Sequence, residues 1–402
     1  MNILFVHQNF PGQFLRLSAE LAKSPRNRVV ALAIEGVPAP PGVEKRDYKI
    51  LRQPVPGLDL LMTEQESKIL RGEGCAAAAL RLKHEGFVPD VIVAHSGWGE
   101  ALFLRDVFPQ AKIAVYCEYF YREHGQDVGF DPEDPPLNFR QQCRLRLRNA
   151  SELVSLEAAD LGLTPTRWQQ STYPAEWQRK LHVIHEGIDS AAVAYRPDAK
   201  VELGERNGRV THRFQPGDEV LSFMARELDP VRGFQVFMRA LPRVLARRPK
   251  AQVLVVGGDG AGYGRPAPGG KTWREHMLAE VGADLDLRRV HFLGKVPYPV
   301  FADMLSVTRL HSYWTTPFVL SWSFLEAGMS GAPLVGSATA PVEEFAPELG
   351  VPTLPFYDAD AFADTMIAHL AAPQPMRRPP PKIKRLELKH CLNAQIKLLQ
   401  SL

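Results

Sequence analysis

Short apolar runs, each closed by a polar loop and followed by a helical repeat, recur along the chain. Residues 2–6 (NILFV), 28–34 (RVVALAI), 89–95 (PDVIVAH) and 111–116 (AKIAVY) have the unbroken apolar character of strands buried on both faces. Shorter runs at 159–164 and 183–184 add two more strands. Helical spacing covers 60–85 and 139–159, while 36–57 is proline-rich, with one short strand near 48–51. The polar stretch 190–217 interrupts the pattern, which then begins again. Strands at 219–225, 252–256, 290–293 and 334–335 alternate with helices at 300–307 and around Phe234, Phe237, Leu241 and Leu245. Helices at 361–370 and 384–399 flank the proline-rich 373–381. The alternation predicts an α/β protein of two doubly wound, Rossmann-like domains facing each other across a cleft. The domains fall at 1–190 and 218–370, joined by a connection at 191–217. A proline-rich segment and helix at 371–402 can cross back to the first domain.

Size agrees with two cores, because 402 residues exceed what one core fills. The 48 basic and 45 acidic residues leave a net charge of +3, which argues against a nucleic-acid partner. The four cysteines form no C-x-x-C pair, so neither a metal cluster nor a disulfide framework is expected. No signal peptide opens the chain and no run approaches the roughly 20 apolar residues of a membrane span. The expectation is a cytoplasmic protein. Any peripheral contact with an anionic membrane is weak, through Arg140, Arg144, Arg146 and Arg148 or the basic segment 382–389.

Candidate chemistry concentrates where strands end. Residues 310–340 read as strand, loop, short helix, a stop at Gly331 and another strand. Ser323 and Glu326 have the spacing of a capping box, and the helix start near Ser321, Trp322 and Ser323 offers free amides to an anion. Arg226 and Arg232 flank the loop after strand 219–225, and their forked guanidinium groups suit phosphate oxygens. The glycine-rich 257–264 does not fit G-x-G-x-x-G before a helix. In the first half, Gly12 sits in a strand-to-helix turn and His95 follows a buried strand. The irregular stretch 121–136 reads as a loop that shapes an acceptor site. Two Asp-x-Asp strings, at Asp284 with Asp286 and Asp358 with Asp360, lie in a turn and a pre-helix loop and read as incidental.

These motifs resemble those of the retaining glycosyltransferases of family 4, which have the GT-B fold. The resemblance covers roughly residues 1–350. It rests on FVHQNFPGQF, PDVIVAHSGWGE, LEAADLGLTPTRWQ and VIHEGID in the first half, and on RELDPVRGF, VLVVGGDG, VHFLGKV and FVLSWSFLEAGMSGAPLV in the second. It implies transfer of a sugar from a nucleoside-diphosphate donor to an acceptor hydroxyl with retention, the acceptor being a glycan, a lipid-linked molecule or a small molecule. No metal or other cofactor is expected, and a UDP-sugar is favoured over a GDP-sugar.

By resemblance, Arg226 and Arg232 hold the diphosphate over the helix start at Ser321, Trp322 and Ser323, and Glu326 holds the ribose. His95 lies near the transferred sugar and Gly12 at the cleft floor. Gly257, Lys295 and Val296 join the donor side, Glu118 and His124 the acceptor side. The chain departs from the family pattern at Phe318, where the first glutamate of E-x7-E would stand. Three alternatives share these features: a nucleotide-sugar epimerase, a phosphorylase of the same fold, and a non-catalytic nucleotide-sugar-binding protein.

Overall fold

The computed structural model describes residues 1–34, 38–204, 209–373, 377 and 383–402. Parts of the stretches 36–57, 190–217, 373–381 and 382–389 read above lie outside the described residues. The chain divides into two compact units, Met1–Gly187 with Lys384–Leu402, and Ile188–Ile383.

The first unit is built on a seven-stranded sheet. Its strands are β1 (Asn2–Val6), β2 (Arg28–Ile34), β3 (Glu44–Tyr48), β4 (Val91–His95), β5 (Lys112–Tyr116), β6 (Leu161–Thr164) and β7 (Leu181–Val183). They lie in the order β3-β2-β1-β4-β5-β6-β7, all parallel. Successive side chains of β1 go to opposite faces, as the pleat requires. Leu4 and Val6 join one core cluster with the helix Leu60–His84, through Cys75, Ala79 and Leu82. Ile3 and Phe5 join the other, with Leu17 and Leu21 of the helix Leu15–Ala22 and with Leu392 and Leu399 of the C-terminal helix Leu388–Gln400. That last helix is also tied by Gln395, whose Nε2 donates to the His185 carbonyl at 3.0 Å.

The second unit opens with an antiparallel pair, β8 (Val201–Gly204) and β9 (Val210–Phe214), where the sequence suggested only a connection. Its alternating polar residues carry one buried anchor per strand, Val201 and Phe214, too few to register as apolar periodicity. The six-stranded parallel sheet follows: β10 (Val220–Glu227), β11 (Gln252–Gly258), β12 (Val290–Gly294), β13 (Leu310–Tyr313), β14 (Leu334–Ser337) and β15 (Thr353–Leu354), in the order β12-β11-β10-β13-β14-β15. In each sheet the strand order reverses beside the first strand, between β1 and β4 and between β10 and β13. Open α/β sheets bind ligands at such switch points, beyond the carboxyl ends of the strands.

Two further local expectations need correction. The strand foreseen near 48–51 lies earlier, at Glu44–Tyr48, where EKRDY is a polar sheet edge. The single helix foreseen at 139–159 is two, Phe139–Arg148 and Ala150–Ala158. The break falls at Asn149, whose amide both accepts from the Tyr121 N–H and donates to the Tyr121 carbonyl, each at 2.9 Å. Among the described residues no helix is long and apolar enough to cross a membrane.

Candidate active site

In the second unit, the loop leaving β10 turns through Asp229, Pro230, Val231 and Arg232 into the helix Phe234–Arg247. Asp229 caps that turn by accepting from the Arg232 N–H at 3.1 Å, and its other oxygen accepts from the Tyr263 N–H at 2.7 Å. One carboxyl thus holds the arginine loop and the glycine-rich loop together. Burial pushes its pKa up against the opposing pull of Arg232 and the backbone amides. A side chain at Gly262 would collide with this carboxylate, which accounts for a glycine there. Arg226, Glu227, Asp229, Arg232 and Tyr263 line a cavity of about 190 Å3.

Arg226 is exposed and forms no hydrogen bond or ion pair among the described residues. Arg232 is buried, and its Nη1 donates to Tyr313 Oη at 3.1 Å, Thr315 Oγ1 at 2.9 Å and the Val319 carbonyl at 3.0 Å. Tyr313 Oη also accepts from the Ser321 N–H at 2.8 Å. The hydroxyl of Tyr313 therefore joins the arginine to the helix start. Tyr313 was not singled out in the sequence, because an apolar strand ending in Tyr carries no signal of its own.

The helix start itself differs from expectation. The helix is Trp322–Met329 and Ser321 is its cap, with its hydroxyl accepting from the Ser323 N–H at 3.4 Å. Ser323 lies inside the helix and so forms no capping box with Glu326, which is two positions too deep to form one with Ser321. It is buried and accepts from Tyr298 Oη at 2.9 Å. Gly331 has φ 72°, the left-handed conformation that ends a helix cheaply only at glycine.

Phe318 is buried, its ring 4.9 Å from that of Tyr263 and 5.9 Å from the Arg232 guanidinium. Lys295 is paired with Glu227, which also accepts from the Gly260 N–H at 2.9 Å. Gly257 is packed under Leu228, where a side chain would not fit, and Val296 is half-buried in the loop after β12. Neither Gly257 nor Val296 lines the cavity.

The Asp-x-Asp strings have local partners. Asp286 pairs with Arg288 and Arg289, Asp360 with Arg243, and Asp358 caps the helix Ala359–Ala371.

In the first unit, the ends of β1, β4 and β5 bring His7, His95 and Glu118 together. His7 Nδ1 accepts from the Asn9 N–H at 2.9 Å, so its Nε2 carries the proton and donates to Gln13 Oε1 at 3.0 Å. Gln13 Nε2 in turn donates to Glu118 Oε1 at 2.9 Å. Burial, with the neighbouring His95, holds His7 neutral with a pKa lowered to about 3. Gly12, at φ 47°, leaves room for the imidazole, since a Cβ there would stand 2.7 Å from the ring. Burial would raise the Glu118 carboxyl, but the nearby imidazole of His95, the Gln13 amide and His7 hold it below the usual carboxylate range.

His124 and Glu118 are not neighbours in one site. His124 is exposed and lines a groove of about 920 Å3 between residues 120–124 and the helix Phe139–Arg148, and Glu118 is not among its lining residues. On that helix Arg140 pairs with Asp59, and Arg144 and Arg148 with Glu64, so three of its four arginines are paired, with two carboxylates between them.

Two parallel sheets, each with polar groups gathered at its switch point, define the class of Rossmann-like α/β proteins that bind nucleotides and sugars. Residues 25–193 match the glycosyl transferase family 4 group, and residues 218–372 match the glycosyl transferases group 1. The chain belongs to these glycosyltransferases and has their GT-B fold; it is an enzyme that moves a sugar from a nucleotide-activated donor to an acceptor. Similar solved structures cover 100% of it. Sucrose-phosphate synthase from Thermosynechococcus elongatus is 16% identical with a TM-score of 0.70, covered over 98% of its own chain. A UDP-forming α,α-trehalose-phosphate synthase from Burkholderia vietnamiensis is 15% identical with a TM-score of 0.67, also covered over 98%. The N-terminal domain of trehalose-6-phosphate phosphatase from Candida albicans is 14% identical with a TM-score of 0.67, covered over 96%. At such identities the likeness is one of fold, and fold alone does not select a reaction. No curated protein sequence matches the chain.

Proposed function

We propose that the protein transfers its sugar with retention of anomeric configuration from a UDP-sugar, the donor diphosphate lying on Arg226, Arg232 and the helix start at Ser321, Trp322 and Ser323. The observation that carries this reading is the shared Tyr313 hydroxyl, which ties an arginine and a helix N-terminus into one anion-facing unit. As the sugar–phosphate bond breaks, charge grows on the leaving diphosphate. Preorganised donors of this kind stabilise it, each by about 3 kcal/mol. The acceptor hydroxyl enters on the face the diphosphate leaves. Lys295, Val296 and Gly257 border the donor, Glu326 meets its ribose, and Phe318 takes the place of a sugar-binding carboxylate. Gly12 and His95 face the sugar, with Glu118 and His124 on the acceptor side. That one similar structure is a UDP-forming synthase supports UDP over GDP. The enzyme works in the cytoplasm without a metal, and any hold on an anionic membrane is weak, since most arginines of Phe139–Arg148 are paired.

The test is a thermal-shift series with UDP, GDP, ADP and their glucose conjugates. Specific binding raises apparent stability by about 2.7 kcal/mol at a hundredfold excess over Kd. A shift with UDP and UDP-glucose is expected. A shift with GDP alone, or with none of them, contradicts the reading.

A further inference from the structure

Two carboxyls stand among the arginines of the cavity beyond β10, and they differ. Asp229 is taken up by backbone, accepting from the N–H groups of Arg232, Tyr263 and Gly264. Glu227, the last residue of β10, lines the cavity beside Arg226 and Arg232 and is paired with Lys295. Burial would raise its carboxyl, but Lys295, the Gly260 N–H and Arg226 together hold it below the usual carboxylate range. Glu227 is therefore ionised at neutral pH.

The glycine-rich loop is shaped around this pair. A Cβ on Gly258 would stand 2.2 Å from Glu227 Oε2 and 2.7 Å from Lys295 Cε, and one on Gly260 would stand 3.1 Å from the same carboxylate oxygen. The Gly260 N–H then holds that oxygen at 2.9 Å. The carboxylate is thus fixed in place, in a site otherwise suited to an anion.

A fixed negative charge weakens an anion placed near it, in proportion to the charge that the anion carries. The cavity is small, so the distances lie inside the ~8 Å screening length of physiological salt. In a nucleotide-sugar both phosphates are esterified. Once the sugar leaves, the terminal phosphate gains a second ionisation with a pKa of about 6, so at neutral pH the product carries about one more charge than the donor.

The geometry points to Glu227 as the residue that sets the balance between donor and product: its carboxylate opposes the nucleoside diphosphate left after transfer more than it opposes the nucleotide-sugar, and Lys295 with Gly260 holds it there. This rests on the donor reading above and adds to it a means of shedding the product.

The experiment uses the whole chain and compares wild type with Glu227→Gln and Glu227→Asp, with melting curves to show that each variant folds. Glutamine keeps the size of the side chain and can still accept from the Gly260 N–H. Calorimetric titrations with UDP and with UDP-glucose give two dissociation constants for each protein. Glu227→Gln should bind UDP about tenfold tighter and UDP-glucose by a factor at least about threefold smaller, so the variant favours product. Glu227→Asp keeps the charge and should keep the wild-type ratio of the two constants. An equal gain for both ligands in Glu227→Gln overturns the proposal. So does an unchanged or weaker affinity for UDP, the result expected if Glu227 only supports Lys295 and the loop. A wild type that binds neither ligand overturns the donor reading beneath, and the proposal with it.

Discussion

The two sheets end in opposite chemistry. Beyond β1, β4 and β5 stand two histidines and one carboxylate, the carboxylate tied to neutral His7 through a glutamine. Beyond β10 and β13 stand two arginines, a lysine and a helix start. On the proposed reading the first set meets hydroxyls and the second the diphosphate, and one fold, used twice, separates two substrates by the side chains at the ends of its strands rather than by its architecture.

The largest effect is expected at the cationic end. Arg232→Ala should lower transfer about a hundredfold to a thousandfold, measured as kcat/KM for the donor, because one preorganised donor to the growing charge is lost. The same substitution in a site that used neutral groups would cost far less.

Tyr313→Phe sharpens the point. It removes the oxygen shared by Arg232 and Ser321 and leaves the Ser321 N–H without its partner, while Arg232 Nη1 keeps Thr315 and Val319. A loss of about 1–3 kcal/mol of stability in urea unfolding is expected, with weaker UDP binding. Unchanged UDP affinity would detach the arginine from the helix start.

Acid should test the neutral histidines. His7 is lowered to about 3, and burial alone takes His311, within β13, to about 4. Both lie below the unfolded value of about 6.5, so it is the unfolded chain that takes up the proton as pH falls. Their contribution is complete above about pH 6.5. It is lost on acidification, by up to about 1.4 kcal/mol per pH unit for each histidine down to its folded pKa. Denaturant midpoints at pH 7 and pH 5 measure this, and equal midpoints would mean that both rings protonate freely in the fold.

The smallest effect concerns metal. Turnover in EDTA should match turnover in magnesium within about twofold if, as proposed, arginines and a helix end stabilise the leaving charge. A loss restored by a divalent ion would replace that account.

Much of this was readable in the sequence, and for a physical reason. Parallel strands buried on both faces leave continuous apolar runs, so β1, β2, β4 and β5 stood out. The edge strand EKRDY and the pair β8–β9 have water on one side and left no such trace. Arg226, Arg232 and the helix start could be found because they lie at or within a short loop of the carboxyl ends of β10 and β13. The link from Gln13 to Glu118 spans 105 positions, and no local spacing reveals it. Ser321 and Ser323 both suit a cap, and local sequence cannot choose between them; the fold chose Ser321.

Calorimetric titration of UDP into Arg226→Ala and His95→Ala tests the division of labour most directly. Arg226 is exposed and without a partner among the described residues, so its removal disturbs nothing but the site. Arg226→Ala should weaken UDP binding about tenfold or more, the worth of one charge-assisted hydrogen bond. His95→Ala should leave UDP affinity nearly unchanged while slowing transfer. Equal loss in both would put His95 on the phosphate, and no loss in Arg226→Ala would remove the diphosphate from the arginine loop.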